Sequence, residues 1–300
     1  MHLKTYKYNL ELKDTFRISH TARDSQETLI VELSHNGFTG YGEAAATSYY
    51  GVTVEGMSKT IRDLEPIIAA NIEKTPEEMW AILNPHFNGN TFAQCALDIA
   101  MNDLHGKRLG QPLYKLWGLE LKNLPLSNYT IGIDTVEKMV QKMQAFPWPL
   151  YKIKLGTHED VQIVEELRKH TDAIFRVDAN GAWTAEETIQ NSKKLKELKV
   201  EFIEQPLPAS DIDGMAEVFK HSVLPVIADE SCIHESDVAK CAPYFHGVNV
   251  KLTKCGGLTP ARRMIAEARS LGLRVMVGCM TESSIGISAI AQLLPLLDYV

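Results

Sequence analysis

The sequence predicts a (β/α)-barrel entered through an N-terminal α+β capping unit, and three observations carry that reading. Short β-rich runs recur seven times after residue 125 at a spacing of about 25 residues, the length of one strand-loop-helix-loop unit. Charged amphipathic segments separate them, which implies a parallel sheet with right-handed crossovers. No glycine-rich dinucleotide loop follows the first run, so an eightfold barrel fits better than an open doubly wound sheet. Residues 1–122 are expected to form the cap and its junction helices, and residues 123–300 the barrel.

The cap elements follow in order. Apolar and polar residues alternate at 2–12 and 27–35, and Asn36-Gly37 is a hairpin turn signal before a further strand at 39–42. Helical patterns cover 54–71 and 76–84. A third helix is predicted from Ala93, Ala96, Leu97, Ala100 and Leu104, which recur at helical spacing. Gly106 and the Gly110-Gln111-Pro112 turn punctuate its end.

The barrel runs are SNYTIGI (127–133), YKIKLG (151–156), IFRVDAN (174–180), EFIEQP (201–206), VIADES (226–231), GVNVKL (247–252) and RVMVGCM (274–280). An eighth strand would start near 298–300. The sequence is therefore expected to stop before the barrel closes, with the C-terminal part of the barrel outside it.

With 300 residues, 45% hydrophobic and 23% charged, the chain has the composition of an ordinary globular protein. A net charge of -7 excludes a nucleic-acid footprint, which needs a basic surface. The five cysteines are scattered and never form C-x-x-C, a pattern of reduced thiols rather than a disulfide or zinc framework. No signal-peptide stretch opens the chain and no apolar run is long enough to span a membrane. A soluble cytoplasmic protein with a small-molecule partner is expected, and a homo-oligomer is left open.

Five ionisable residues stand at the ends of successive predicted strands: Lys154, Asp178, Glu204, Asp229 and Lys251. That face of a barrel holds active sites, so the five converge. Three carboxylates on adjacent strands offer hard oxygens to Mg²⁺, and no histidine or cysteine joins them as zinc would require. Lys154 and Lys251 are on strands four apart in an eightfold ring, hence on opposite sides of the mouth. One can remove a proton from a carbon between them while the other returns one to the opposite face. Lys152 shares the strand face of Lys154, and their repulsion is expected to lower one amine.

Simpler readings stand beside this. Lys152 and Lys154 fit a solvated strand face, and Asp178-Ala179-Asn180-Gly181 fits an Asx turn. Glu204-Gln205-Pro206 and Asp229-Glu230-Ser231 fit strand exits or helix caps. Gly256-Gly257 before a helix makes an anion nest, with which the lysines of KLTKCGG would bind phosphate. The shared phase of all five positions favours a single site.

The motifs GYGEAAA, ALDIAMNDLHGKRLGQPLYKLWG, KIKLG, VDANGAW, IEQP, ADES and KLTKCGG together resemble the enolase superfamily, specifically its muconate-lactonizing subgroup, over essentially the whole chain. The resemblance implies Lys154 and Lys251 as the acid/base pair and Asp178, Glu204 and Asp229 as ligands of one Mg²⁺. It places Lys152 beside Lys154 and the substrate carboxylate, and Asn180, Gln205 and Lys254 behind these residues. KLTKCGG followed by MVGCMTES is most similar to the dipeptide epimerases, which invert the α-carbon of the C-terminal residue of a dipeptide such as L-Ala-L-Xaa. By position, Thr130, Cys279, Met280, Thr281 and Glu282 would line the substrate pocket. Epimerases for Ala-Glu carry an arginine after the first hairpin strand. The loop FRISHTARDSQE offers His20, Thr21 or Arg23 without a clear equivalent, so an apolar or other side chain is also open. Ser48, Tyr49 and Tyr50 would form a second lid, and the subgroup's D-x-D motif for the dipeptide ammonium would fall on strand eight. The alternatives are another subgroup reaction (cycloisomerase, o-succinylbenzoate synthase or N-acylamino acid racemase) and, from a different class, a non-catalytic binding protein.

Overall fold

A computed structural model describes residues 1–19 and 21–300; the predicted specificity residue His20 lies outside them. Three antiparallel strands open the chain, β1 (His2–Ile18), β2 (Thr21–His35) and β3 (Phe38–Ala45), in the order β1-β2-β3. Asn36 and Gly37 both take positive φ at the β2–β3 turn, as the Asn-Gly pair requires. The stretch FRISHTARDSQE is not a free loop. After a register shift between Glu11 and Phe16, β1 and β2 pair again at Phe16–Arg23, Arg17–Ala22 and Ile18–Thr21. A long hairpin therefore reaches from the cap toward the barrel mouth.

Helices α1 (Val54–Asp63), α2 (Glu65–Asn71), α3 (Pro76–Leu83), α4 (Thr91–Arg108) and the one-turn α5 (Leu113–Leu116) follow. The single helix expected over 54–71 is two. Pro66 sits in the first turn of α2, where a missing N–H is tolerated but a continuous helix is not. Thr75 and Glu78 close a capping box on α3. Helix α4 is buried without interruption from Phe92 to Asn102 because it has a core on each side. Ala93, Ala96, Leu97, Ala100 and Leu104, the predicted stripe, pack with Leu29, Val31 and Leu33 of the cap sheet. Cys95 and Ile99 face the barrel core instead.

The second sheet runs β10-β9-β8-β7-β6-β5-β4, all parallel: β4 (Tyr129–Ile131), β5 (Leu150–Lys154), β6 (Ile174–Asp178), β7 (Val200–Glu204), β8 (Val226–Ala228), β9 (Gly247–Lys251) and β10 (Arg274–Gly278). Between them stand α6 (Val136–Ala145), α7 (Asp160–Arg168), α8 (Ala185–Glu197), α9 (Ile212–His221), α10 (Glu235–Cys241), the short α11 (Leu252–Cys255) and α12 (Leu258–Ser270). Helix α13 (Ser284–Ala291) follows β10. The parallel sheet curls as a barrel does, with the N-terminal sheet and helices as its cap. The strand ends fall within a few residues of those predicted.

The last residues lie between the two edge strands. Tyr299 pairs with Met276 of β10, and the Asn128 backbone N–H, just before β4, donates to the Val300 carbonyl at 3.2 Å. Inside the barrel Phe202, Ile227 and Met276 pack with Tyr299. Phe202 and Met276 are two residues before the last of their strands and Ile227 two before Asp229, so the period of the strand places the next inward layer at the mouth. Among the described residues no helix is long and apolar enough to cross a membrane.

Candidate active site

The mouth layer is built by strand register. Lys154, Asp178 and Glu204 are the final residues of β5, β6 and β7 and are paired in sequence across the sheet. Asp229 follows β8 directly, and Lys251 ends β9. All three carboxylates are buried, and one oxygen from each lies within 4.8 Å of the others. Lysines crowd this arc. Lys154 Nζ donates to Asp178 Oδ2 at 2.6 Å and Lys251 Nζ to Asp229 Oδ2 at 2.6 Å. Lys152 Nζ lies 3.0 Å from Asp178 Oδ2 and 2.5 Å from Glu204 Oε2.

These contacts decide the ionisation. Burial works to raise the Asp178 carboxyl, yet Lys152 and Lys154 outweigh it and bring it down to about 2. Burial is likewise overcome at Asp229 by Lys251 and Lys254, which hold it well below the usual carboxylate range. Glu204 goes the other way. Burial and the neighbouring Asp178 push it up to about 7. Burial opposes the charge on Lys152, but Asp178 and Glu204 hold its amine above the ordinary value. The expected lowering by lysine–lysine repulsion is therefore not what governs Lys152, because two carboxylates stand closer to its charge.

The residues predicted behind the site are near it. Asn180 takes positive φ, donates its N–H to Asp178 Oδ1 at 3.0 Å and accepts from Lys154 at 3.2 Å. The Asx turn and the site are thus one structure. Gln205 bridges β7 to the loop after β8: its Oε1 accepts from the N–H groups of Asp229 and Ser231, and its Nε2 donates to Ser231 Oγ. Lys254, 1% exposed, donates to Asp229 Oδ1 and to the carbonyls of Asp229, Cys232 and Asn249. The anion nest read at Gly256-Gly257 is filled by the protein itself. Asp98 of α4 accepts from the Thr259 N–H at 3.0 Å and its hydroxyl at 2.7 Å, and a side chain on Gly257 would overlap that carboxylate.

A cavity of about 380 Å³ opens over the arc, with Lys152, Lys154, Asn180, Glu230 and Lys251 in its wall. Of the predicted lining, Thr130, Cys279, Met280 and Thr281 reach it, as do Thr21, Arg23, Tyr49 and Tyr50 from the cap. Glu282 does not. Its carboxyl turns back to accept from the Met280 N–H at 3.0 Å, and burial pushes it up to about 8. A larger groove of about 980 Å³ between α4, α5 and α13 is away from this chemistry; its Asp103 and Lys107 pair with each other at 2.7 Å.

Sequence reasoning passed over Asn249 and Glu230. Asn249 donates to Glu204 Oε1 at 2.8 Å and accepts from the Gly278 N–H at 2.7 Å. Its signal was available, since it lies two residues before Lys251 on the same inward face. Glu230 accepts from Asn180 Nδ2 at 3.2 Å, and its other oxygen is buried without a hydrogen-bond donor among the described residues.

A curled parallel sheet with an acidic and lysine-rich mouth under an antiparallel cap defines a class, and comparison with known proteins agrees. The family described as mandelate racemase / muconate lactonizing enzyme, N-terminal domain, matches residues 1–118, and enolase C-terminal domain-like matches residues 134–298. The chain belongs to the enolase superfamily, in its mandelate racemase / muconate lactonizing family. It is 58% identical over 300 residues to the L-Ala-D/L-amino acid epimerase of Flavobacterium johnsoniae, covering 100% of this chain and 89% of that protein. It is 38% identical over 307 residues to the L-Ala-D/L-Glu epimerase of Bacteroides thetaiotaomicron, covering 100% of this chain and 79% of that protein. Among solved structures, the dipeptide epimerase of Enterococcus faecalis complexed with Mg and L-Leu-L-Tyr superposes with a TM-score of 0.91 at 30% identity, covering 99% of this chain and 87% of that one.

Proposed function

We propose that this chain is a Mg²⁺-dependent dipeptide epimerase that inverts the α-carbon of the C-terminal residue of L-Ala-L-Xaa substrates. One observation carries the mechanism: Lys154 and Lys251 reach a single cavity from β5 and β9, with the three carboxylate-bearing strands between them. In this reading residues 1–122 are the cap and 123–300 the catalytic barrel.

The residues fit the metal. Three buried carboxylates converge, all hard oxygen donors, with one oxygen of each within 4.8 Å of the others. Asp178, Glu204 and Asp229 would hold Mg²⁺, whose charge would stabilise the negative charge that develops on the substrate as its α-proton leaves. The chain's own side chains perform the proton transfers. Lys154 takes or gives the proton on one face of the α-carbon and Lys251 on the other, each positioned by the carboxylate beside it. Lys152 contributes positive charge next to the substrate carboxylate. Asn180, Gln205 and Lys254 fix Lys154 and Asp229 in place.

The cavity also suggests how Xaa is read. Phe16, Ile18, Tyr49, Tyr50 and Met280 give it apolar walls, which suit an uncharged side chain. Arg23 favours a second reading. Its Nη2 donates to Thr281 Oγ1 at 3.0 Å, while its Nε is buried without an acceptor among the described residues, so an acidic Xaa would be paired there. Incubating an L-Ala-L-Xaa library with enzyme and Mg²⁺ in D₂O is expected to place deuterium at the α-carbon of Xaa. L-Ala-L-Leu and L-Ala-L-Glu separate the two side-chain readings. A library with no exchange at all would sink the epimerase assignment.

A further inference from the structure

We propose that Glu43, a cap residue remote from the reacting atoms, is a positioning residue that fixes the wall of the substrate cavity formed by the loop after β10. Glu43 lies on β3 and is 0% exposed. Its Oε1 accepts from Thr28 Oγ1 at 2.9 Å and from the Ser283 N–H at 2.9 Å. Its Oε2 accepts from the Ser283 N–H at 3.0 Å, the Ser283 hydroxyl at 2.6 Å and the Gly286 N–H at 2.9 Å. The carboxyl thus takes donors from the first turn of α13 and from the loop before it, while Thr28 holds it to β2.

The loop it grips carries Cys279, Met280 and Thr281, all in the cavity wall. The same loop has a second tie to the cap through Arg23 and Thr281. Loops after barrel strands are the most mobile parts of such a scaffold. A buried carboxyl that loses its donors is costly, so movement of residues 279–283 is resisted by the cap. The position of Met280 and Thr281 against the substrate is therefore set by a residue some 240 positions earlier in the chain.

The kinetic part of this proposal rests on the epimerase reading; the loop-ordering part does not. Glu43→Gln keeps the volume but sets an amide N–H against the donors of Ser283 or Gly286. Ser283→Ala removes one hydroxyl only and should fold if Glu43→Gln does not. Hydrogen exchange of amides 279–286 is expected to speed up at least about tenfold in Glu43→Gln and less in Ser283→Ala, with amides of β5–β9 unchanged. For the preferred dipeptide KM should rise about tenfold while kcat stays within about threefold. A merely structural role predicts the reverse, a lower Tm and kcat at constant KM. Unchanged exchange at 279–286, or unchanged KM with an active enzyme, in whichever variants fold overturns the proposal. Wild-type protein inactive on every dipeptide would instead overturn the epimerase reading, and loop exchange alone would then decide whether Glu43 orders this wall.

Discussion

Asn249 shows how much of the site depends on side chains that hold other side chains in place. It holds Glu204 with one end of its amide and the β10 backbone with the other. Asn249→Ala frees a carboxylate that burial already makes reluctant to ionise. Mg²⁺ affinity measured by calorimetry should fall about 10- to 100-fold, the usual cost of losing a residue that orients a ligand. The two proposed bases can be separated isotopically. Lys154→Ala should abolish α-deuterium exchange from one epimer and Lys251→Ala from the other, each by at least about 10³-fold, with Mg²⁺ binding retained. Equal loss from both epimers in either variant would argue against two opposed bases.

Among elements, α4 matters most. Gly40 and Gly42 of β3 lie directly on its backbone, and a Cβ at either would overlap the carbonyl oxygen of Ala100 or Ala96. Gly42→Ala must push strand and helix apart along their contact. The expected result is a loss of several kcal/mol, in the range of overpacked cores, seen as a lower denaturant midpoint or insoluble protein. The same helix supplies Asp98 to the start of α12. Burial pushes that carboxyl up to about 7, against the pull of the donors from Thr259. An unfolded aspartate ionises near pH 3.9, so between roughly pH 4 and 7 the folded chain binds the extra proton. Stability must then fall as pH rises through that window. Asp98→Asn keeps an acceptor and a donor for Thr259 and cannot titrate. Thermal melts of wild type relative to Asp98→Asn should decline by several degrees from pH 4 to 7.5; parallel curves would contradict the assignment.

At the scale of the molecule, cap and barrel close one cavity. Phe16, Ile18, Arg23, Tyr49 and Tyr50 come from the first unit, and the lysines from the second. Three buried carboxylates at the mouth make the fold sensitive to the cation they would hold. A ligand that binds only the folded state stabilises it by RT ln(1 + [L]/Kd), about 2.7 kcal/mol at a hundredfold excess over Kd. Tm should therefore rise with Mg²⁺ and drop on chelation, and Asp178→Asn should remove most of that response. A chelator-insensitive Tm would count against the metal site.

Most of the architecture was legible in the sequence because it rests on local rules. The strand period placed Lys154, Asp178, Glu204 and Lys251 at strand ends, and one phase of the repeat set them on a common face. The helical stripe of α4 was equally plain, and Pro66 marks a break that the apolar pattern alone concealed. What the sequence could not decide depends on partners distant along the chain. Glu282 fits a pocket residue by position, yet it folds back onto Met280, and it is Glu43 that meets the loop. Gly256-Gly257 fits an anion nest, and Asp98 fills it from a helix some 160 residues away. The lysine pair reads as mutual repulsion until the carboxylates of β6 and β7 are placed beside Lys152. Sequence by itself determined which chemistry is present and on which face; tertiary structure decided which charges meet, because buried ionisation follows distance in space rather than spacing along the chain.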